Sequence, residues 1–360
     1  MIELPGAQVT IVSYRLGMAD GVSVTTAQWV RALHRLGARV RTLAGEGRAD
    51  VIIPGLAMGA RRPPSTAQLS AALDDADLVV LDNICSLPVN RGAGEALAEH
   101  LAGRPAVLRH HDLPWERAGY DGLLGWPPLD PAWRHVAISD LARRELVHRG
   151  IPAVTVHHGF AHHRRPLRRT RTRVRRALGI GPRDVLVLQP TRAIARKNVG
   201  TGLAVAAALG GVYWLTGPAE EGYRPELDRL LASAERPVRR GLPAGADMAA
   251  AYAACDVVVL PSSWEGFGLP LIESAMHRRP LTIGSFPVAA EIAAFGFRWF
   301  DVDDPGQLRR WLADPDPELL DHNERIARQH FGVAALGRRL AWLLSSGDHG
   351  SEEQTIHAVA

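Results

Sequence analysis

Two glutamates, Glu265 and Glu273, stand eight positions apart around the run Gly-Phe-Gly-Leu-Pro-Leu-Ile. The apolar run CDVVVLPSS predicts a buried strand ending at Leu260, then a loop carrying Glu265, Gly266 and Gly268. Pro270 then opens a helix, because its missing N–H would have no partner in a first helical turn. Such a turn leaves unpaired amides and the positive end of the helix dipole at the carboxyl end of a strand, which suits an anion. Both carboxylates can then reach one ligand and accept hydrogen bonds from hydroxyls, as a sugar and a ribose provide, while the amides between them hold a phosphate. Either glutamate alone reads as a solvated residue beside a capping turn; the whole string reads as a site. The second chemical feature is a lysine. The 42 basic residues divide into 41 arginines and Lys197, in TRAIARKN, with Arg192 five positions before it. Arg offers a planar fork, whereas Lys offers a compact, mobile point charge.

The string from Glu265 to Glu273 resembles the signature of retaining GT-B glycosyltransferases of the glycogen-synthase-like superfamily (glycosyltransferase family 4, "glycosyl transferases group 1"), which use nucleotide sugars. The resemblance covers most of the chain and implies two Rossmann-like domains facing a central cleft. It implies that Arg192 and Lys197 hold the donor diphosphate, and that Glu265, Gly266, Phe267, Gly268, Leu269 and Glu273 bind the donor. Glu265 would take sugar hydroxyls and Glu273 the ribose. Asp20-Gly21-Val22-Ser23 matches the family's glycine loop, with Gly21 alone where two glycines are usual. PAVLRHHDLPWER matches the strand whose terminal His lies near the donor sugar, and the His-Asp pair aligns with His111. Adjacent histidines on a strand point to opposite faces, so at most one of His110 and His111 meets the ligand. A structural pair capping the sheet is the plainer reading of those histidines. Ser139, at the end of HVAIS, reads as structural, and Glu291 would support the donor loop. Arg279 stands where a Gly is usual.

These matches imply His111, Glu265, Arg192 and Lys197 as the catalytic set. The family's chemistry is front-face attack, with the leaving phosphate taking the acceptor proton, so no enzymic nucleophile is required. No cofactor and no metal are expected; Asp301-Val-Asp303 and Asp75-Ala-Asp77 are not placed to serve as a metal motif. The stretch from Leu113 to Trp133, with Trp115, Tyr120, Trp126 and Trp133, is expected on the acceptor side together with Asp112. Aromatics there also suit plain packing.

The elements that must position these residues alternate. QVTIVSY, ARVRTLA, ADLVVLDN, PAVLRHH and HVAIS read as strands buried on both faces, separated by helices such as TTAQWVRALHRLG and GEALAEHLAG. The rhythm restarts at DVLVLQP and continues through GGVYWLTG, PVRRGLP, CDVVVLPSS and PLTIGS. The chain is thus expected to be α/β, with a doubly wound domain over 1–165 and a second over 166–330. A helix over 331–346 would pack back across the hinge, and 347–360 would form a frayed tail. Between Arg164 and Arg176 lie eight arginines. They read as a solvated helix face, or as a site for an anionic acceptor or membrane surface.

The bulk numbers set the frame. With 360 residues the chain exceeds one ordinary core. A net charge of +4 does not call for general nucleic-acid affinity. Cys85 and Cys255 read as reduced thiols, and no apolar run approaches the ~20 residues of a membrane span. A soluble, cytoplasmic enzyme is expected, taking a nucleotide-sugar donor and a small soluble acceptor. Its rivals are an epimerase or pseudoglycosyltransferase on the same fold, or a non-catalytic nucleotide-sugar or polyanion-binding protein.

Overall fold

In the computed structural model the chain forms two compact units, Met1–Ala161 with Phe331–Ala360, and His162–His330. The structure describes residues 3–18, 20–117, 119–120, 123, 125–161 and 168–345. The expected tail 347–360, residue 346 of the last helix, and Arg164 and Arg165 lie outside them.

The first unit is built on a seven-stranded sheet. Its strands are β1 (Gln8–Leu16), β2 (Arg39–Gly47), β3 (Val51–Ile52), β4 (Leu78–Asp82), β5 (Ala106–His110), β6 (Trp133–Ala137) and β7 (Ala153–Thr155). Their order is β3-β2-β1-β4-β5-β6-β7, and every pairing is parallel. Apolar side chains of β4 and β5 pack on both faces, which explains their unbroken hydrophobic runs. On one face the helix Gly21–Arg35 presents Trp29 and Leu33, and Leu336, Leu340 and Leu343 of the helix Val333–Ser345 join the same core. That last helix follows the second unit in sequence yet belongs to the first by its packing. A Cβ on Gly159 would sit 2.7 Å from Leu336, so the backbone there can approach the helix only without a side chain.

The second unit carries β8 (Leu186–Gln189), β9 (Val212–Leu215), β10 (Val238–Arg240), β11 (Val257–Leu260), β12 (Leu281–Ile283) and β13 (Phe300–Asp301). The order is β10-β9-β8-β11-β12-β13, again all parallel. In both sheets the order reverses beside the unit's first strand, between β1 and β4 and between β8 and β11. Such a reversal leaves a crevice outside the carboxyl ends of the two strands, where open α/β sheets bind ligands.

The arginine-rich helix Arg168–Ala177 has a structural task. Arg171 donates to the carbonyls of Ala253, Ala254 and Cys255, and Arg175 donates to Ala254 O (3.1 Å). Both also pair with Asp256. These carbonyls end the helix Met248–Ala254, where cations are favoured and partners are needed. Arg168, Arg169, Arg173 and Arg176 of the same helix are exposed.

Candidate active site

Lys197 lies in a short helical turn, Ala195–Lys197, beyond β8, and Glu265 lies in the loop beyond β11. Because these strands are neighbours, two segments far apart in sequence converge at the reversal point. Both side chains are buried, and the Lys197 ammonium donates to both carboxylate oxygens of Glu265. Ser262 Oγ donates to Oε1 (2.6 Å), and Arg196 approaches Oε2 at 3.4 Å. Burial lowers the Lys197 pKa from its ordinary range; Glu265 opposes that shift, while Arg196 and Arg192 add to it. The turn is held from behind by Gln189, whose amide donates to Lys197 O (2.9 Å) and whose oxygen accepts from Tyr213 (2.7 Å). Ser263 N–H donates to Arg196 O (2.9 Å), fastening the two loops together.

Arg192 follows β8 and pairs with Glu220 at 2.6 Å, both side chains about 40% exposed. A Cβ on Gly217 would meet Thr191 O at 2.4 Å, so the chain after β9 closes against this turn only as glycine. Downstream, Phe267 is buried and Gly268 takes a left-handed conformation (φ 81°) immediately before the helix Leu269–Met276. Pro270 is at the second position of that helix. Glu273, on the helix, accepts a hydrogen bond from the Tyr252 hydroxyl (2.7 Å), and burial raises its pKa above the usual carboxylate range. After this helix the left-handed residue is Arg278 (φ 53°), and Arg279 N–H closes back on Ser274 O (2.8 Å). Arg279, in the place of a usual Gly, extends its guanidinium to Tyr252 O (2.7 Å) and Ala253 O (3.0 Å).

In the first unit the expected glycine loop is largely helix: Gly21 opens the helix Gly21–Arg35, and Asp20 caps it by accepting from Ser23 N–H (3.0 Å). Beyond the reversal between β1 and β4 lies Asp82, fully buried at the end of β4. The β4–β5 register places it beside Arg109, which donates to it at 2.9 Å. Thr26 of the opening helix and His111 Nε2 (2.8 Å) complete its partners. Burial alone would raise this carboxyl, but Arg109 and His111 outweigh it and hold it at about 2. Arg109 also donates to His158 Nδ1 (2.8 Å) and lies 4.7 Å over Trp29. Burial and the Arg109 charge lower the His111 pKa, so its imidazole is neutral at pH 7, with Nε2–H directed at Asp82.

Alternation along β5 separates the two histidines. His110 is closed in between Ser86 Oγ (2.7 Å) and the stacked ring of His135, whereas His111 follows at the strand's end. Asn83, left-handed at φ 65°, shapes the turn after His111 by accepting from His111 N–H (3.0 Å) and Asp112 N–H (3.3 Å). Asp112 pairs with Arg117 at 2.7 Å. Trp115 is partly buried with Arg149 stacked over it at 4.1 Å, and Tyr120 is partly exposed. Trp126 and Trp133, expected on the acceptor side, are core residues instead. The indole N–H of each donates to a buried carbonyl, Ser86 O at 3.0 Å and Leu101 O at 3.2 Å. Asp82, Asn83, Arg109, Arg196, Glu220 and Tyr252 are not singled out as site residues by any motif in the sequence. Asp82 and Arg109 were the findable pair, since each is a charge inside an apolar run.

Two doubly wound parallel sheets, each with its polar residues gathered at the strand-order reversal, define a GT-B fold. Solved structures agree: Anabaena Alr3699/HepE in complex with UDP-glucose aligns with a TM-score of 0.71 at 17% identity, covering 94% of this chain and all of that one. The glycosyltransferase WaaG aligns at 0.65 and 15% identity, covering 94% of this chain and 100% of that chain. Residues 206–309 match the family model "Glycosyl transferases group 1". Mannosylglucosylglycerate synthase of Thermotoga maritima is 25% identical over 91% of this chain and 97% of its own. The enzyme of the same name from Petrotoga mobilis is 23% identical over 92% and 96%. The chain thus shares its fold with these glycosyltransferases, and over residues 206–309 its sequence is similar to those of group 1.

Proposed function

We propose that this glycosyltransferase moves a sugar from a nucleoside diphosphate sugar to a hydroxyl of a small acceptor, with retention at the anomeric carbon and without a metal ion. The observation that carries this reading is the buried meeting of Lys197 with Glu265 at the reversal between β8 and β11. That meeting sets a cation, an acidic hydroxyl acceptor and a helix N-terminus side by side. The diphosphate would draw Lys197 into a bridge between Glu265 and phosphate, and would compete with Glu220 for Arg192. With Arg196 nearby, these cations and the amides after Glu265 stabilise the departing diphosphate. The acceptor hydroxyl bonds to the anomeric carbon as the bond from that carbon to the phosphate oxygen breaks. The released phosphate takes the hydroxyl proton. Glu265 holds sugar hydroxyls, Glu273 the ribose, and neutral His111 the sugar. A small acceptor is supported by the curated relatives, whose name describes a glycosylated glycerate; glucosylglycerate and glycerate are the acceptors to try first, with UDP-glucose and GDP-mannose as donors.

The two glutamates provide the test. Glu265→Ala is expected to slow turnover while leaving nucleoside diphosphate binding largely intact, and Glu273→Ala to weaken the bare nucleotide too. Calorimetry on both variants, beside rates with the full donor, measures the difference; equal binding losses would refute the division of roles. Activity should also survive EDTA, since protein cations and helix amides balance the charge that a divalent ion would otherwise meet. Complete loss on chelation, restored by manganese or magnesium, would contradict the metal-free mechanism.

A further inference from the structure

The geometry points to Tyr252 as a positioning residue that fixes the Glu273 carboxylate for a ribose, an inference resting on the ribose role proposed above for Glu273. The Tyr252 hydroxyl occupies Oε2 of Glu273 at 2.7 Å. Among the described residues no protein group donates to the other oxygen, and Glu273 is only half-buried, so Oε1 is open to a ligand hydroxyl. One oxygen held and one presented is the arrangement that orients a carboxylate toward a diol. Tyr252 is itself immobilised. Its ring is buried and stacks on His277, 4.9 Å between centroids and 2° from parallel. Its carbonyl accepts from Arg279, and the carbonyls that follow accept from Arg171, Arg175 and Arg279. At the other end of the helix Met248–Ala254, Asp247 accepts from Ala250 N–H (2.8 Å). Both ends of this short helix are therefore pinned, and its tyrosine is a fixed donor aimed at a carboxylate on the neighbouring helix. Burial disfavours the charged form of Glu273 and raises its pKa, and the Tyr252 hydrogen bond opposes that shift.

The experiment measures the share of binding that depends on the ribose hydroxyls. Calorimetry with uridine diphosphate and its 2′,3′-dideoxy analogue, and with the guanosine pair in parallel, gives a ratio of dissociation constants for each protein. Tyr252→Phe keeps the ring stack and removes only the hydroxyl; it is expected to shrink that ratio roughly three- to tenfold. Affinity for the dideoxy nucleotide should be unchanged, which also reports an intact fold and phosphate site. Glu273→Gln should remove most of the ratio. A ratio lost in Glu273→Gln but kept in Tyr252→Phe overturns the positioning role alone. A ratio kept in Glu273→Gln, or no binding of either ribonucleotide to the unaltered protein, overturns the ribose role of Glu273 and this inference with it. A Tyr252→Phe protein that loses dideoxy and ribose nucleotides equally shows a merely structural tyrosine and also overturns it.

Discussion

Replacing Lys197 with alanine is expected to weaken nucleoside diphosphate binding by about 1.5–3 kcal/mol, the range for a hydrogen bond to a charged group. The cost does not stop at the ligand. Glu265 is left buried with Ser262 and a distant Arg196 as its partners, and breaking a buried pair from one side costs about 3–5 kcal/mol when nothing compensates. Arg196 supplies part of the missing charge, so the loss of folding stability should fall toward the lower end. Lys197→Arg should recover only part of the binding, because the bulkier guanidinium does not fit the buried place of a compact ammonium. Calorimetry with UDP and GDP, beside denaturant unfolding of the same variants, measures both effects. Unaltered nucleotide affinity in Lys197→Ala would remove the lysine from the site.

The second large effect is expected at Asp82. Asp82→Ala leaves Arg109 without exposure and without its carboxylate, and should cost the first unit about 3–5 kcal/mol of stability. Replacing both residues, Asp82→Leu with Arg109→Met, should cost less than Asp82→Ala alone, since no charge is stranded. The pH dependence has a definite sign. Asp82 is held at about 2, below the ordinary 3.8, so its contribution is present above pH 3.8 and is lost as pH falls toward 2. Urea unfolding followed across that range, with Asp82→Ala beside the unaltered protein, should show the two stabilities converging at low pH. A loss under ~1 kcal/mol at neutral pH would mean that the cluster is not the buried hub described, because stranding a buried charge costs several times that.

Much of the fold could be read from the sequence, because strands buried on both faces leave unbroken apolar runs. Ten strand-like stretches became β1, β2, β4, β5, β6, β8, β9, β10, β11 and β12, of which β2 and the edge strand β10 are only partly buried. The others, β3, β7 and β13, are short edge strands that are not buried throughout, so no apolar run marks them. The turn into the helix Leu269–Met276 was legible because a glycine just before a helix and a proline in its first turn are strong local signals. The partners were not. That Lys197 meets Glu265, and that Arg192 meets Glu220, depends on which loops adjoin at the ends of β8, β9 and β11, and no local pattern encodes this. Asp82 and Arg109 each broke an apolar run, yet only the register of β4 against β5 joins them. Trp126 and Trp133 misled for the opposite reason, since an indole serves a core and a sugar face equally well, and burial decides between them.

Product analysis is the most direct test of retaining, metal-free sugar transfer by this protein. The purified protein is incubated in EDTA with UDP-glucose or GDP-mannose and with glycerate or glucosylglycerate, and the product's anomeric configuration is read by proton NMR. Release of the nucleoside diphosphate is expected in step with a glycoside that keeps the donor's α configuration, with loss of both in Lys197→Ala. A β-linked product, or transfer at an undiminished rate in Lys197→Ala, would contradict this mechanism.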